Sequence, residues 1–197
     1  MSGWPSWRRL PGVNSFMSID QPSSPALPRE TIFAGVRVSL YAVAPSDLSA
    51  TDAMELEVID RDIGGLGFVR LGDLMCSLMP DAVIRCYGRA DTEYYGAHVR
   101  TDRGDSFTDF YTEFADGSSL TTSTNRASVS YPEARIYRRV ALVEDAAGLE
   151  VVHRAAILEH AVSRRTRALP ARADLTACAA MIERFLDRYV QVLPQTR

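Results

Sequence analysis

The chain contains no lysine; each of its 22 basic residues is an arginine. That absence excludes a Schiff-base lysine, a P-loop lysine and the strand lysine of a kinase. Cysteine is nearly as scarce. Cys76, Cys86 and Cys178 form no C-x-x-C pair, so neither a zinc cluster nor a redox dithiol is expected from local spacing. They read as small buried hydrophobes of a reduced compartment. No run approaches the ~18 apolar residues that span a bilayer. Arg8 and Arg9 precede Leu-Pro-Gly-Val-Asn-Ser instead of the apolar stretch of a secretory signal. The formal net charge of −3 offers no broad basic field to nucleic acid or anionic lipid. Together these absences predict a cytoplasmic protein with no cofactor and with neither nucleic acid nor membrane as partner.

What is present is ordinary for a globular chain: 46% hydrophobic and 24% charged residues over 197 positions, enough for one domain with its own core. Residues 1–28 interleave Pro5, Pro11, Pro22, Pro25 and Pro28 with serine, a composition that reads as a disordered tail. Met17 is an alternative start within it, and Trp4, Trp7 and Phe16 are its apolar exceptions. A single domain is expected over 29–195.

Residues 31–43 are β-branched and aromatic enough for a strand. Ser46 or Ser49 then caps a helix running to about Ile63, with Leu56, Ile59 and Ile63 on one stripe and Gly64-Gly65 supplying its left-handed end. Further strands are predicted at 68–76, 82–87, 94–100, 107–114 and 119–124, separated by short links. Asp116-Gly117 reads as a type I′ hairpin turn. A helix over 149–169 is closed by Pro170. A last helix, about 174–193, capped by Asp174, carries Leu175, Cys178, Ile182, Phe185, Tyr189 and Leu193 on one face. The expected architecture is α+β, an antiparallel sheet of about five strands with helices mainly on one face.

Candidate chemistry is sparse. His153 and His160 share a helix face about 10.5 Å apart along the axis, too far for one zinc ion, so a structural or solvent-exposed role is expected and no metal site. Glu113 and Asp116 flank the hairpin, but Asp116 is accounted for by the turn. Residues 118–124 read Ser-Ser-Leu-Thr-Thr-Ser-Thr. Thr121, Thr122, Ser123 and Thr124 are ligand-binding candidates in a strand that otherwise reads as solvent-facing. There is no G-x-S-x-G elbow, dinucleotide G-x-G-x-x-G or EF-hand loop. Gly64-Gly65-Leu66-Gly67 follows a helix, whereas a phosphate loop precedes one.

The run Gly-Leu-Gly-Phe-Val-Arg-Leu-Gly-Asp-Leu at 65–74, the run Tyr-Thr-Glu-Phe-Ala-Asp-Gly-Ser-Ser-Leu-Thr-Thr-Ser-Thr at 111–124 and the following helix with His153 together resemble a set of uncharacterised bacterial proteins. In that set a helix ends in a Gly-Phe element, a Phe-x-Asp-Gly hairpin leads into a Thr-rich strand, and a His-bearing helix follows. The resemblance covers about residues 30–165 and implies no established activity, so no catalytic residue carries over. Two functional classes follow. The favoured one is a non-catalytic binding or accessory protein of the bacterial cytoplasm. The alternative is a small-molecule hydrolase or transferase, assembled only in three dimensions from His98, His153, Asp109 and the Thr-rich strand.

Overall fold

A computed structural model describes residues 38–101 and 104–192; the expected tail, the first residues of the 31–43 strand and Leu193 lie outside them. The described chain forms one seven-stranded sheet in chain order: β1 (Leu40–Val43), β2 (Val69–Cys76), β3 (Met79–Gly88), β4 (Tyr95–Thr101), β5 (Ser106–Glu113), β6 (Ser119–Ser123) and β7 (Ile136–Val140). Neighbours are antiparallel except β6 and β7, which run parallel. The expectation of about five strands is corrected to seven. The unforeseen β7 has two central arginines, and its apolar content is carried mainly by Ile136 and Val140.

Three helices cover the sheet: α1 (Ala50–Gly64), α2 (Ala146–Arg164) and α3 (Leu175–Val192). Strand alternation separates two cores. On one face Ile84, Cys86, Ala97 and Tyr111 pack against Cys178, Met181, Ile182 and Phe185 of α3. On the other, Tyr87, Phe110 and Leu120 pack against Ile63 of α1 and Leu149, Ala156 and Ile157 of α2. The helices therefore lie on both faces, not mainly on one. Each large apolar side chain buried in this way stabilises the fold by about 1.5–3 kcal/mol.

Local chemistry explains the element ends. Ser49 caps α1, its Oγ accepting the Asp52 amide at 3.1 Å. Gly65 is right-handed, with φ −58°; the left-handed glycine is Gly67, φ +83°, because the chain adds one more turn before β2. The β5–β6 hairpin is not type I′. Gly117 N donates to Phe114 O and Phe114 N to Ser118 O, both at 2.9 Å, and only Gly117 has positive φ, +79°. This is a type I turn with a glycine bulge. A second irregularity breaks the alternation of β2 between Arg70 and Gly72. A Cβ on Gly72 would lie 2.8 Å from Leu175 Cδ2, so α3 sits directly on this glycine. Helix α2 stops at a left-handed Arg165, φ +52°, before Pro170 is reached. Asp174 caps α3 as expected, accepting the Ala177 amide at 2.7 Å.

Candidate functional site

The residues singled out by sequence fall on opposite sides of the sheet. His98 faces α1, 4% exposed, with Nδ1 2.9 Å from Thr108 Oγ1. Burial, aided by the nearby Arg100 and Arg85 charges, pushes its imidazole down to about 4. His153 projects from α2 and is fully buried. It bridges the sheet strands, Nε2 to Thr112 Oγ1 at 3.0 Å and Nδ1 to Thr122 Oγ1 at 2.8 Å, beside the Tyr94 and Phe110 rings. Burial alone pushes it down to about 3. Both rings are neutral and hydrogen-bonded within closed layers. Asp109 points to the other face, under α3, so the three catalytic candidates do not converge.

His160, 8% exposed, gathers the types of a catalytic triad in the wrong order. Ser118 Oγ lies 2.9 Å from His160 Nε2 and 2.6 Å from Asp116 Oδ1. Burial raises the Asp116 carboxyl, but hydrogen bonds from Ser118 and Arg164 outweigh this and hold it well below the usual range. An ionised carboxylate only accepts, so the Ser118 proton goes to Asp116 and Nε2 of His160 donates to the serine. With Nε2 protonated, His160 is no base toward Ser118. Glu113 is held separately, gripped by the Arg184 fork at 3.1 and 2.6 Å. Asp116 and Glu113 are thus two ion-pair partners, not an acid/base pair.

The Thr-rich strand does not face solvent, which corrects the expectation; Ser119 to Ser123 are all buried, with α2 packed on one side of the strand. Thr122 serves His153. Thr124 Oγ1 accepts the Thr108 amide at 2.9 Å. Ser119, Thr121 and Ser123 lie on the α3 side, and there the hydrogen bonding is incomplete. Asp109 is wholly buried; the Tyr111 hydroxyl donates to its Oδ2 at 2.8 Å, Arg138 Nη2 stands 4.0 Å away, and Oδ1 has no partner. Burial raises its carboxyl, opposed by Arg138, Ser123 and Tyr111. Ser119 Oγ, Thr121 Oγ1, Arg138 Nε and Arg188 Nε and Nη2 are also buried without partners. Nε and Nη2 form the edge with which Arg85 and Arg184 each grip a carboxylate; Arg188 presents that edge vacant.

Beside this polar row an open cleft of about 310 Å³ lies between α3 and the segment 169–172. Three bonds of 2.8 Å tie that segment down: Leu169 N to Glu113 O, Ala171 N to Thr92 O and Arg172 N to the Tyr95 hydroxyl. Leu169, Pro170, Ala177, Ala180 and Met181 make its apolar walls, with Arg172, Arg184, Glu93 and Glu113 also lining it. Tyr111 belongs to both, lining the cleft while its hydroxyl holds Asp109. Sequence reasoning missed Tyr95, Tyr111, Arg138, Arg184 and Arg188, which share no local motif.

Among the described residues no group of three or more His, Cys, Asp or Glu side chains could hold a metal ion, and no helix is long and apolar enough to cross a membrane. All three cysteines are free and buried. No protein-family model, curated protein or solved structure matches the chain.

Proposed function

We propose that the protein is a non-catalytic binding protein for a small molecule with an apolar body and an acceptor-rich head such as a carboxylate. The observation that carries this reading is where the unspent hydrogen-bonding capacity lies. The histidines are committed to structural bonds. The vacant donors of Arg138 and Arg188, with the Ser119 and Thr121 hydroxyls, collect under α3 behind the cleft wall at Tyr111. The cleft has apolar walls for the ligand body, and the row behind it holds more donors than acceptors for the head. The reading includes no cofactor, no nucleic acid and no membrane, and it places the protein in the cytoplasm.

The test is a fragment screen by NMR on alanine- and methionine-methyl-labelled protein, pairing each carboxylic acid with its primary amide. Acids are expected to shift the Ala177, Ala180 and Met181 signals more than their amides do, and Ala180→Trp, which fills the cleft, abolishes the effect. No binders, or binders scattered elsewhere, overturn the proposal. A hydrolase or transferase remains the second reading, favoured by the position of Asp109, whose Oδ1 is unpartnered and whose Oδ2 accepts from Tyr111 at the cleft wall. It requires turnover of an ester or phosphate-ester panel that Asp109→Asn removes.

A further inference from the structure

We propose that two copies of this chain associate through the outer face of α2. The inner face of that helix is spent on the core, burying Leu149, His153, Ala156, Ile157 and His160. A helix lying on a sheet ordinarily presents polar residues outward. Here Val151, Leu158 and Val162 are 69%, 69% and 79% exposed, and Ala155 is exposed between them. Positions 151, 155, 158 and 162 follow steps of four, three and four, the spacing of a coiled-coil seam.

The seam is complementary to itself. Laid antiparallel about a two-fold axis, Val151 meets Val162 of the second copy and Ala155 meets Leu158, a small residue against a large one, and each contact occurs twice. On α1, which covers the same side of the sheet, Met54 and Val58 are a further 67% and 58% exposed. Together Val151, Leu158, Val162, Met54 and Val58 expose roughly 600 Å² per copy, against about 800 Å² per partner in a standard interface.

Charge agrees with this arrangement. Arg89 bonds both Leu66 O, just past the end of α1, and Glu150 near the start of α2, so these two ends are neighbours. The antiparallel seam therefore brings the far end of the second copy's α2 toward α1. Helix α1 carries Asp52, Glu55, Glu57, Asp60 and Asp62 against Arg61. Asp52 and Glu55 pair with Arg100 and Asp60 with Arg85, which leaves Glu57 and Asp62 outside these pairs, while Arg165 and Arg167 cluster at the end of α2 beside Arg164, which pairs with Asp116. Acidic surface meets basic surface twice across the axis. The chain's own N-terminal segment is the weaker occupant, because Val38, where the described chain begins, is buried in the α3-side core on the opposite face.

Sedimentation equilibrium of the full chain tests the proposal. At tens of micromolar the expected mass is twice 21.8 kDa, and Leu158→Glu is expected to weaken association at least roughly a hundredfold while leaving the circular dichroism and thermal midpoint of the dilute protein unchanged. Val151→Cys with Val162→Cys in one chain gives a covalent dimer on mild oxidation, since the native cysteines are buried. A monomeric wild type overturns the proposal, and dimers that form only after deletion of residues 1–37 assign the face to that segment instead. A dimer indifferent to Leu158→Glu overturns the seam.

Discussion

Acid should destabilise this protein in a window set by its buried histidines. In the unfolded chain His98 and His153 titrate near 6.5; in the fold burial pushes them down to about 4 and about 3. Between those values the unfolded state binds protons that the folded state refuses, so stability falls as pH falls. From pH 7 to pH 5 the loss is roughly 2 kcal/mol per histidine, and by pH 4 roughly 3 kcal/mol each, at 1.36 kcal/mol per pKa unit. Against a typical total of about 5–15 kcal/mol this is large. His160 shifts the same way. Asp116, held low, adds its own loss only near and below its ordinary 3.8, so the pH 7 to 5 window reads the histidines. Asp109, whose carboxyl is raised, works in the opposite sense and cancels in a comparison of variants. The assay is urea titration at pH 7 and pH 5 of wild type, His153→Gln and His98→Gln. Each variant is expected to be less stable at pH 7 yet to lose roughly 2 kcal/mol less on acidification. An unchanged loss in both would refute the assignment of acid lability to these rings.

Three further outcomes follow from single contacts. Gly117→Val should cost about 1–3 kcal/mol in denaturant titration, because φ +79° strains a β-branched residue while the space around its Cβ is open to ordinary contact at 3.6 Å. Asp73→Ala should cost about 3–5 kcal/mol, since it strips the 2.7 and 3.0 Å fork from Arg85, 2% exposed, and leaves only Asp60 to hold the charge; an Asp73→Leu, Arg85→Met pair should be less damaging than the single change. Ser118→Ala should cost about 1–3 kcal/mol by orphaning the His160 Nε2 proton, and a neutral result by thermal melting would remove the tautomer argument.

The middle strands were legible because each carries its own period and its own turn. Residues 69–123 are a meander in which the pairing partner is the next strand along, so local pattern was enough. Strand β7 was not legible. Its Arg138 lies over the Phe185 ring and its Arg139 pairs with Glu159, partners supplied by helices far along the chain, and without them Ile-Tyr-Arg-Arg-Val reads as surface. The Thr-rich strand failed for a related reason: its hydroxyls signal water unless one knows that His153 will meet Thr122 across a separation of 31 residues. The end of α2 was missed because an arginine, not a glycine, takes the left-handed position. The site itself was invisible. Tyr95, Tyr111, the 169–172 segment and α3 meet only after the sheet has formed, and nothing in their spacing anticipates the cleft.

The chain-order sheet also sets a sequence of events. Contacts among β2 to β6 span short stretches of chain, so closing them demands little loop entropy, and the meander can zip one strand at a time. The parallel β6–β7 join is different: it must wait for the stretch between them to turn back, and α3 can dock only once its floor exists on both sides of Gly72. The late-formed parts then include β1, which reaches β2 across α1, β7, which supplies Arg138 to the polar row, and α3, which roofs that row. If opening retraces assembly, amide protons of α3 and β7 exchange through partial opening while those of β3 to β5 exchange only with global unfolding. The α3 roof over Asp109 then lifts before the central strands part, which opens a path to the vacant Arg188 edge with β3 to β5 intact.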